Sequence, residues 1–221
     1  MDVKIKTKII KIDPRNPDKD IIRRVAVSIK KGGVVVYPTE TCYGLGTDAT
    51  NPEAVEKIRR IKGRSTGKPI SIIVPDLKTM EKYGRITDEI KFLAKKFLPG
   101  PLTIITHKKD TIPDILNPKE IAFRVPSHPV AYLLTKEAKI PITATSANIS
   151  GLPSIYKISD VVDTFDGKVD IILDCGDLPI VKPSTIIDVK NSPRIIREGP
   201  IPGSLVLSEL KNFERSKQNN K

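Results

Sequence analysis

Apolar residues in this chain recur in two alternating periods, one helical and one extended. Ile21, Ile22, Val25, Ala26 and Ile29 fall on one helical face, with Asp20 as the expected N-cap and Gly32-Gly33 as the stop. Val34-Val35-Val36-Tyr37 follows as a buried strand. Asn51-Pro52-Glu53 is a strong helix start, and Val55, Ile58 and Ile61 continue its apolar stripe. Ile70-Ser71-Ile72-Ile73-Val74 returns to the extended pattern. Thr87 caps a further helix carrying Ile90, Leu93, Ala94 and Phe97, which Pro99-Gly100-Pro101 ends before a strand over residues 102–106. Residues 121–125 read as a strand and 130–138 as a helix. Short β-branched runs at 140–144, 171–173, 185–189 and 194–196 supply more strands. The first six residues alternate like an initial strand and lack the continuous apolar core of a signal peptide.

Helical and extended segments alternate without strict βαβ regularity, so the pattern predicts an α/β fold: one domain with a twisted, mixed β-sheet flanked by helices. Four polar loops interrupt it, each beside an apolar strand. They cover residues 38–46, 62–69, 145–151 and 182–185. Ligand sites on open α/β sheets form where such loops converge.

The second loop, Lys62-Gly63-Arg64-Ser65-Thr66-Gly67-Lys68-Pro69, resembles a phosphate-binding P-loop and then departs from it. A P-loop has four residues between its glycines and a Ser or Thr after the lysine. Here the glycine spacing is one short, and Pro69 biases Lys68 toward extended geometry. Three cations on a glycine-punctuated segment between a helix and a strand remain: an anion clamp of a different design.

Composition narrows the partners. The chain of 221 residues is 38% hydrophobic and 29% charged, with no apolar run near the roughly 20 residues that span a bilayer. A cytoplasmic protein without a membrane role is expected. A net charge of +12 points to nucleotide phosphates or RNA, or to a lysine-rich solvated surface. The charge is concentrated: six basic residues and no acidic one lie between Lys57 and Lys68. Cys42 and Cys175 form no metal spacing and read as two buried thiols, and His128 reads as a helix-start residue. The polar loops hold no Ser-His or Cys-His pair and no carboxylates at catalytic spacing.

Seven segments, taken together, carry a family resemblance. Pro38-Thr39-Glu40-Thr41-x-Tyr43-Gly44-Leu45, Lys62-x-Arg64-x-x-x-Lys68-Pro69, Pro99-Gly100-Pro101-Leu102-Thr103, Arg124-Val125-Pro126, Ser146-Ala147-Asn148-x-Ser150-Gly151, Pro183-Ser184-Thr185 and Arg197-Glu198-Gly199 stand in this order. The series resembles the YrdC-like family of threonylcarbamoyl-adenylate synthases, from about Asp20 to about Gly203. The resemblance implies a YrdC-like catalytic domain over residues 1–205, leaving 206–221 as a basic, partly disordered tail. It also implies formation of threonylcarbamoyl-AMP from L-threonine, bicarbonate and ATP with release of pyrophosphate. The product would go to a downstream tRNA threonylcarbamoyl transferase acting on adenosine 37 of tRNAs that read ANN codons.

That chemistry needs positioning and charge neutralisation, with no side-chain nucleophile. By the resemblance, Lys62, Arg64 and Lys68 would take the phosphates, with Lys62 and Arg64 closest to the chemistry. Ser146, Asn148, Ser154 and Arg197 would hold the rest of the nucleotide, and Thr39, Arg124 and Ser184 the threonine. Mg²⁺ would arrive on the triphosphate, held by phosphate oxygens and water, so no protein ligand to a metal is named. Each residue also has a plainer reading. Lys62 suits a helix C-terminus, and Arg124, within an apolar run, suits an internal ion pair. Thr39, Ser146, Asn148 and Ser184 suit turns or caps. Glu40 and Tyr43 read equally as packing or loop-bracing groups. Two other functions remain open: a non-catalytic module binding tRNA or double-stranded RNA, and a related enzyme making another carbamoyl-adenylate.

Overall fold

The computed structural model describes residues 6–65 and 67–219. Strand β1 (Lys8–Lys11) leads into helix α1 (Lys19–Lys30) and strand β2 (Val35–Pro38); the extended pattern expected at the first five residues lies outside the described part. Asp18 caps α1 in place of Asp20. Its extended backbone turns the carboxylate onto the N–H groups of Asp20 and Ile21, while Asp20 pairs with Arg23 at 2.8 Å one turn on.

Strand β3 (Tyr43–Gly46) falls where the sequence pattern suggests only a loop. Its residues, Tyr-Gly-Leu-Gly, lack β-branched character because Tyr37 of the neighbouring strand occupies the space. A Cβ on Gly46 would come within 2.6 Å of the Tyr37 ring. Helix α2 (Pro52–Lys62) starts at Asn51 as expected and stops at Gly63, whose φ of 59° is left-handed. Next come β4 (Ser71–Ile73), α3 (Leu77–Tyr83), α4 (Asp88–Phe97) capped by Thr87, and the antiparallel pair β5 (Leu102–His107) and β6 (Glu120–Arg124). Helix α5 (Pro129–Ala138) is capped by His128, whose Nδ1 accepts from the Val130 N–H. Strand β7 (Ile142–Ser146), α6 (Ile158–Phe165), β8 (Ile171–Asp174), β9 (Thr185–Asp188), β10 (Arg194–Arg197) and α7 (Gly203–Asn219) complete the chain.

The strands form a mixed sheet in the order β1-β8-β2-β3-β7-β4-β6-β5-β9-β10. One face packs a large core against α2, α3, α4, α6 and α7 through Val36, Leu45, Ile72, Ile104, Phe123 and Ile187. The opposite face carries α1 and α5 over its first strands, through Val35, Tyr37, Ile142, Ile171 and Leu173. The pleat then sends Glu120, Ala122 and Arg124 of β6, and Ile186 and Asp188 of β9, to this second face, where they line a cavity.

Helix α7 corrects the expectation of a tail over residues 206–221. Val206 and Leu210 are buried, Phe213 stacks on Phe92 of α4 at 4.5 Å, and Lys217 pairs with Asp88 at 2.5 Å. Val206, Leu210 and Phe213 recur at helical spacing, but the mixed apolar and polar residues between them obscure the stripe. Cys42 is buried as expected, whereas Cys175 is partly accessible. Among the described residues, no helix is long and apolar enough to cross a membrane.

Candidate active site: an arginine-lined cleft

The open part of the sheet floors a cleft of about 440 Å³. Arg64 reaches it from the loop after α2, Arg124 from the end of β6, and Arg197 from the end of β10; Ser146, Ser154 and Ser184 line it too. Four residues named from sequence do not line it: Thr39, Lys62, Lys68 and Asn148.

Arg124 sits in a socket. Glu40 Oε1 accepts from its Nε at 3.2 Å and lies 2.8 Å from its Nη2, and Thr41 Oγ1 accepts from Nη1 at 3.1 Å. The Nη2 contact is ionic, with no acceptor in line. The same Glu40 oxygen takes the Ser127 N–H at 3.1 Å, so one carboxylate ties the β2–β3 connection to the chain beyond β6. Burial works to raise the Glu40 pKa, but the Arg124 charge and the hydrogen bonds outweigh it and hold the carboxyl below its ordinary value. Glu40, set aside at the sequence level, is thus the partner that fixes Arg124. The internal ion pair and a place on the cleft wall are both true of this arginine.

Lys62 is 1% exposed. Its ammonium donates to the backbone oxygens of Ser146 and Asn148 and to Asn148 Oδ1, the last two at 2.7 and 2.9 Å. Asn148 Oδ1 also accepts from Ser146 Oγ at 2.6 Å, and its amide donates to the Leu152 carbonyl. Lys62 therefore holds the turn that presents Ser146 to the cleft. Burial, followed by the nearby Arg64 charge, lowers its pKa to about 8. Arg64 donates to the Pro69 carbonyl at 2.7 Å, and its pKa is lowered by burial and by Arg59. Lys68 is exposed on the same segment.

Thr39 is spent within its own turn. Its hydroxyl donates to the Cys42 carbonyl at 2.7 Å and accepts from the N–H groups of Thr41 and Cys42. Ser184 Oγ pairs with Thr103 Oγ1 at 2.8 Å and accepts from Arg197, whose guanidinium also grips the Ser184 carbonyl at 2.8 and 3.0 Å. Burial, then the Arg124 charge, lowers the Arg197 pKa. Cys42 lines the cleft, and burial raises its thiol pKa away from thiolate chemistry. Tyr43 is a brace: its hydroxyl donates to the Gly176 carbonyl at 2.7 Å and accepts from the Cys175 N–H.

At the far end of the cleft, Glu120 and Asp188 are already neutralised. Lys190 contacts both, and Arg194 lies 3.2 Å from Asp188. Among the described residues no group of three or more His, Cys, Asp or Glu side chains could hold a metal.

The fold and cleft together define an α/β protein whose open sheet face gathers convergent arginines suited to a small polyanionic ligand. The chain belongs to the Sua5/YciO/YrdC family, whose model, described as telomere recombination, matches residues 27–199. A Methanocaldococcus jannaschii protein is 41% identical over 201 residues, which cover 90% of this chain and 96% of that one. The threonylcarbamoyl-AMP synthase of Pyrococcus abyssi is 38% identical over 192 residues, 86% of this chain and 56% of that protein. The structure of P. abyssi Sua5 complexed with L-threonine superimposes with a TM-score of 0.86 at 35% identity, covering 91% of this chain and 60% of that one. The chain thus spans little more than half the length of the P. abyssi relative.

Proposed function

We propose that this protein forms L-threonylcarbamoyl-AMP from L-threonine, bicarbonate and ATP, releasing pyrophosphate. The observation that carries this reading is the convergence of Arg64, Arg124 and Arg197, from three separate segments, on one cleft with no built-in nucleophile. The names of the P. abyssi relative and of its threonine complex support it.

The reaction begins from N-carboxylated threonine. Its carbamate oxygen attacks the α-phosphorus of ATP in line, the bond to the bridging oxygen of the β-phosphate breaks, and pyrophosphate leaves with the electron pair. The protein's task is to place two anions together and neutralise the charge that moves to the leaving group. Arg124, set by Glu40 and Thr41, takes the threonine carboxylate beside Ser184. Arg64 meets the phosphates in the cleft, and Lys68, exposed on the same loop, adds its charge from outside the lining. Ser146, with Ser154 and Arg197 close by, holds the remainder of the nucleotide, and Lys62 and Asn148 keep the Ser146 turn in place. Mg²⁺ enters as part of the nucleotide substrate; the acidic residues of the cleft are occupied by Lys190 and Arg194, which suits a metal carried by phosphate and water. The mixed anhydride hydrolyses readily, which favours quick handover, and on this reading the acceptor is a tRNA-modifying transferase in the cytoplasm. The excess of basic charge suits transient contact with that tRNA.

The test is to incubate the protein with Mg²⁺–ATP, bicarbonate and L-threonine and to measure the adenylate by mass spectrometry alongside pyrophosphate. Product that requires all three substrates is the expected result. Clean nucleotide binding without product would overturn the reading in favour of another carbamoyl-adenylate.

A further inference from the structure

The basic run on α2 conceals, besides Lys62, a second residue that hardly meets solvent. Arg59 is 5% exposed, and its guanidinium donates to three backbone carbonyls: Ser65 at 2.9 Å, Lys68 at 3.2 Å and Ile115 at 2.5 Å. Two of these acceptors lie on the cation loop and the third on the connection between β5 and β6. The same two segments meet again where the Ile70 N–H donates to the Leu116 carbonyl at 3.2 Å. Both contribute to the cleft wall, through Arg64 and Pro69 on one side and Asn117 on the other.

Arg59 is a buried cation without a counter-anion. Among the described residues no carboxylate reaches within 4 Å of Arg59, Lys62 or Arg64. A solvated arginine would serve the net charge equally well, and burying one with no acid partner is unfavourable unless its hydrogen bonds accomplish something. A planar fork that satisfies three carbonyls on two segments fixes their separation, which a lysine's point charge cannot do. The Nε of Arg59 and the Nε of nearby Arg64 are both buried without a partner, so it is the two terminal nitrogens of Arg59 that make the staple.

We propose that Arg59 is a positioning residue for the nucleotide's polyphosphate: it staples the cation loop to the β5–β6 connection and so sets Arg64 at the cleft wall. The proposal rests on the cleft as the nucleotide site, and its test is a binding measurement that stands whether or not threonylcarbamoyl-AMP is the product. Arg59 touches no substrate, so its loss acts on one ligand and leaves the other. Arg124, with its Glu40 and Thr41 socket, is built from other segments.

Isothermal titration of the full chain with Mg²⁺–ATP, and separately with L-threonine, is compared between the wild type, Arg59→Lys and Arg59→Met. The expected result is a Kd for Mg²⁺–ATP at least tenfold weaker in both variants, with the L-threonine Kd within twofold of wild type. Trypsin supplies a second readout that needs no ligand affinity. Cleavage after Lys68 is blocked by Pro69, so the loop reports through Arg64; cleavage there should be at least fivefold faster in Arg59→Lys, and Mg²⁺–ATP should slow it. Guanidinium ion at millimolar concentration, entering the space left by Arg59→Ala, should restore part of the nucleotide affinity. Unchanged Mg²⁺–ATP affinity and an unchanged cleavage rate in Arg59→Lys would overturn the proposal. So would a parallel loss of both ligands, which would mark Arg59 as a general support of the fold.

Discussion

Glu40 Oε1 lies 2.8 Å from Arg124 Nη2 and accepts a hydrogen bond from Arg124 Nε, joining the β2–β3 connection to the end of β6 through one nearly buried ion pair. Removing one partner of such a pair leaves a buried charge uncompensated, at a cost of about 3–5 kcal/mol. Glu40→Ala should therefore lose about 3 kcal/mol in urea unfolding, and Glu40→Ala with Arg124→Met should recover at least half of that. A double-variant loss equal to the sum of the Glu40→Ala and Arg124→Met losses would show that the pair is not coupled. In turnover, Arg124→Ala should raise the KM for L-threonine by about two orders of magnitude while changing the KM for ATP little, as expected of an arginine that binds a carboxylate in a dry site.

Arg197 and Gly199 clamp the Pro183-Ser184-Thr185 turn from two sides. Arg197 grips the Ser184 carbonyl, and Gly199 lies so close that a Cβ would come within 2.3 Å of the Pro183 oxygen and the Thr185 nitrogen. Both obstacles are backbone, so Gly199→Ala must displace the turn. A loss of about 3 kcal/mol in stability is expected, together with weaker L-threonine binding by calorimetry, because the turn carries Ser184.

Lys62 gives opposite pH trends for activity and stability. Its folded pKa of about 8 lies below the unfolded value of 10.5. Between these two values the unfolded chain keeps a proton that the folded chain has released, so the contribution of Lys62 to stability rises with pH across that window. The charged donor to Ser146 and Asn148 is lost over the same window. The profile of kcat/KM should fall on an alkaline limb near pH 8, and Lys62→Met should lack that limb. An alkaline limb that persists in Lys62→Met would assign it elsewhere.

Leu210, on the buried face of α7, is the simplest probe of the C-terminal segment. Leu210→Ala should cost about 2–4 kcal/mol, and a chain ending at residue 205 should melt at a clearly lower temperature by calorimetry. Identical melting of the shortened chain would mean that 206–219 adds nothing to the fold.

Much of this architecture is legible in the sequence because its helices carry clean apolar stripes and recognisable starts: Asn51-Pro52, Thr87 and His128-Pro129 all sit where their helices begin. Strand β3 is hidden because its glycines answer to the Tyr37 ring on the paired strand, a contact that no periodicity within β3 itself reveals. Helix α7 is hidden because Val206, Leu210 and Phe213 stand among both apolar and polar neighbours, Leu205 and Leu207 beside Ser208, Glu209, Lys211 and Asn212, which blur the stripe. The cleft is legible as a set of segments but not as a set of contacts. Arg64, Arg124, Ser146, Ser154, Ser184 and Arg197 do converge. Lys62 and Arg59 look like solvated helix-end charges, and nothing local marks a basic side chain that turns inward to backbone carbonyls. Glu40 is read as ambiguous because its partner is 84 residues away.

Arginines line the cleft at residues 64, 124, 194 and 197, and the last two arrive on β10, which joins the sheet only through β9. A chain emerging from the ribosome therefore displays Arg64 and its loop long before it owns the opposite wall. On the proposed reaction, the capacity to bring both anions together would appear only once Arg197 has joined the sheet, so a copy stopping short of β10 is expected to leave ATP unspent.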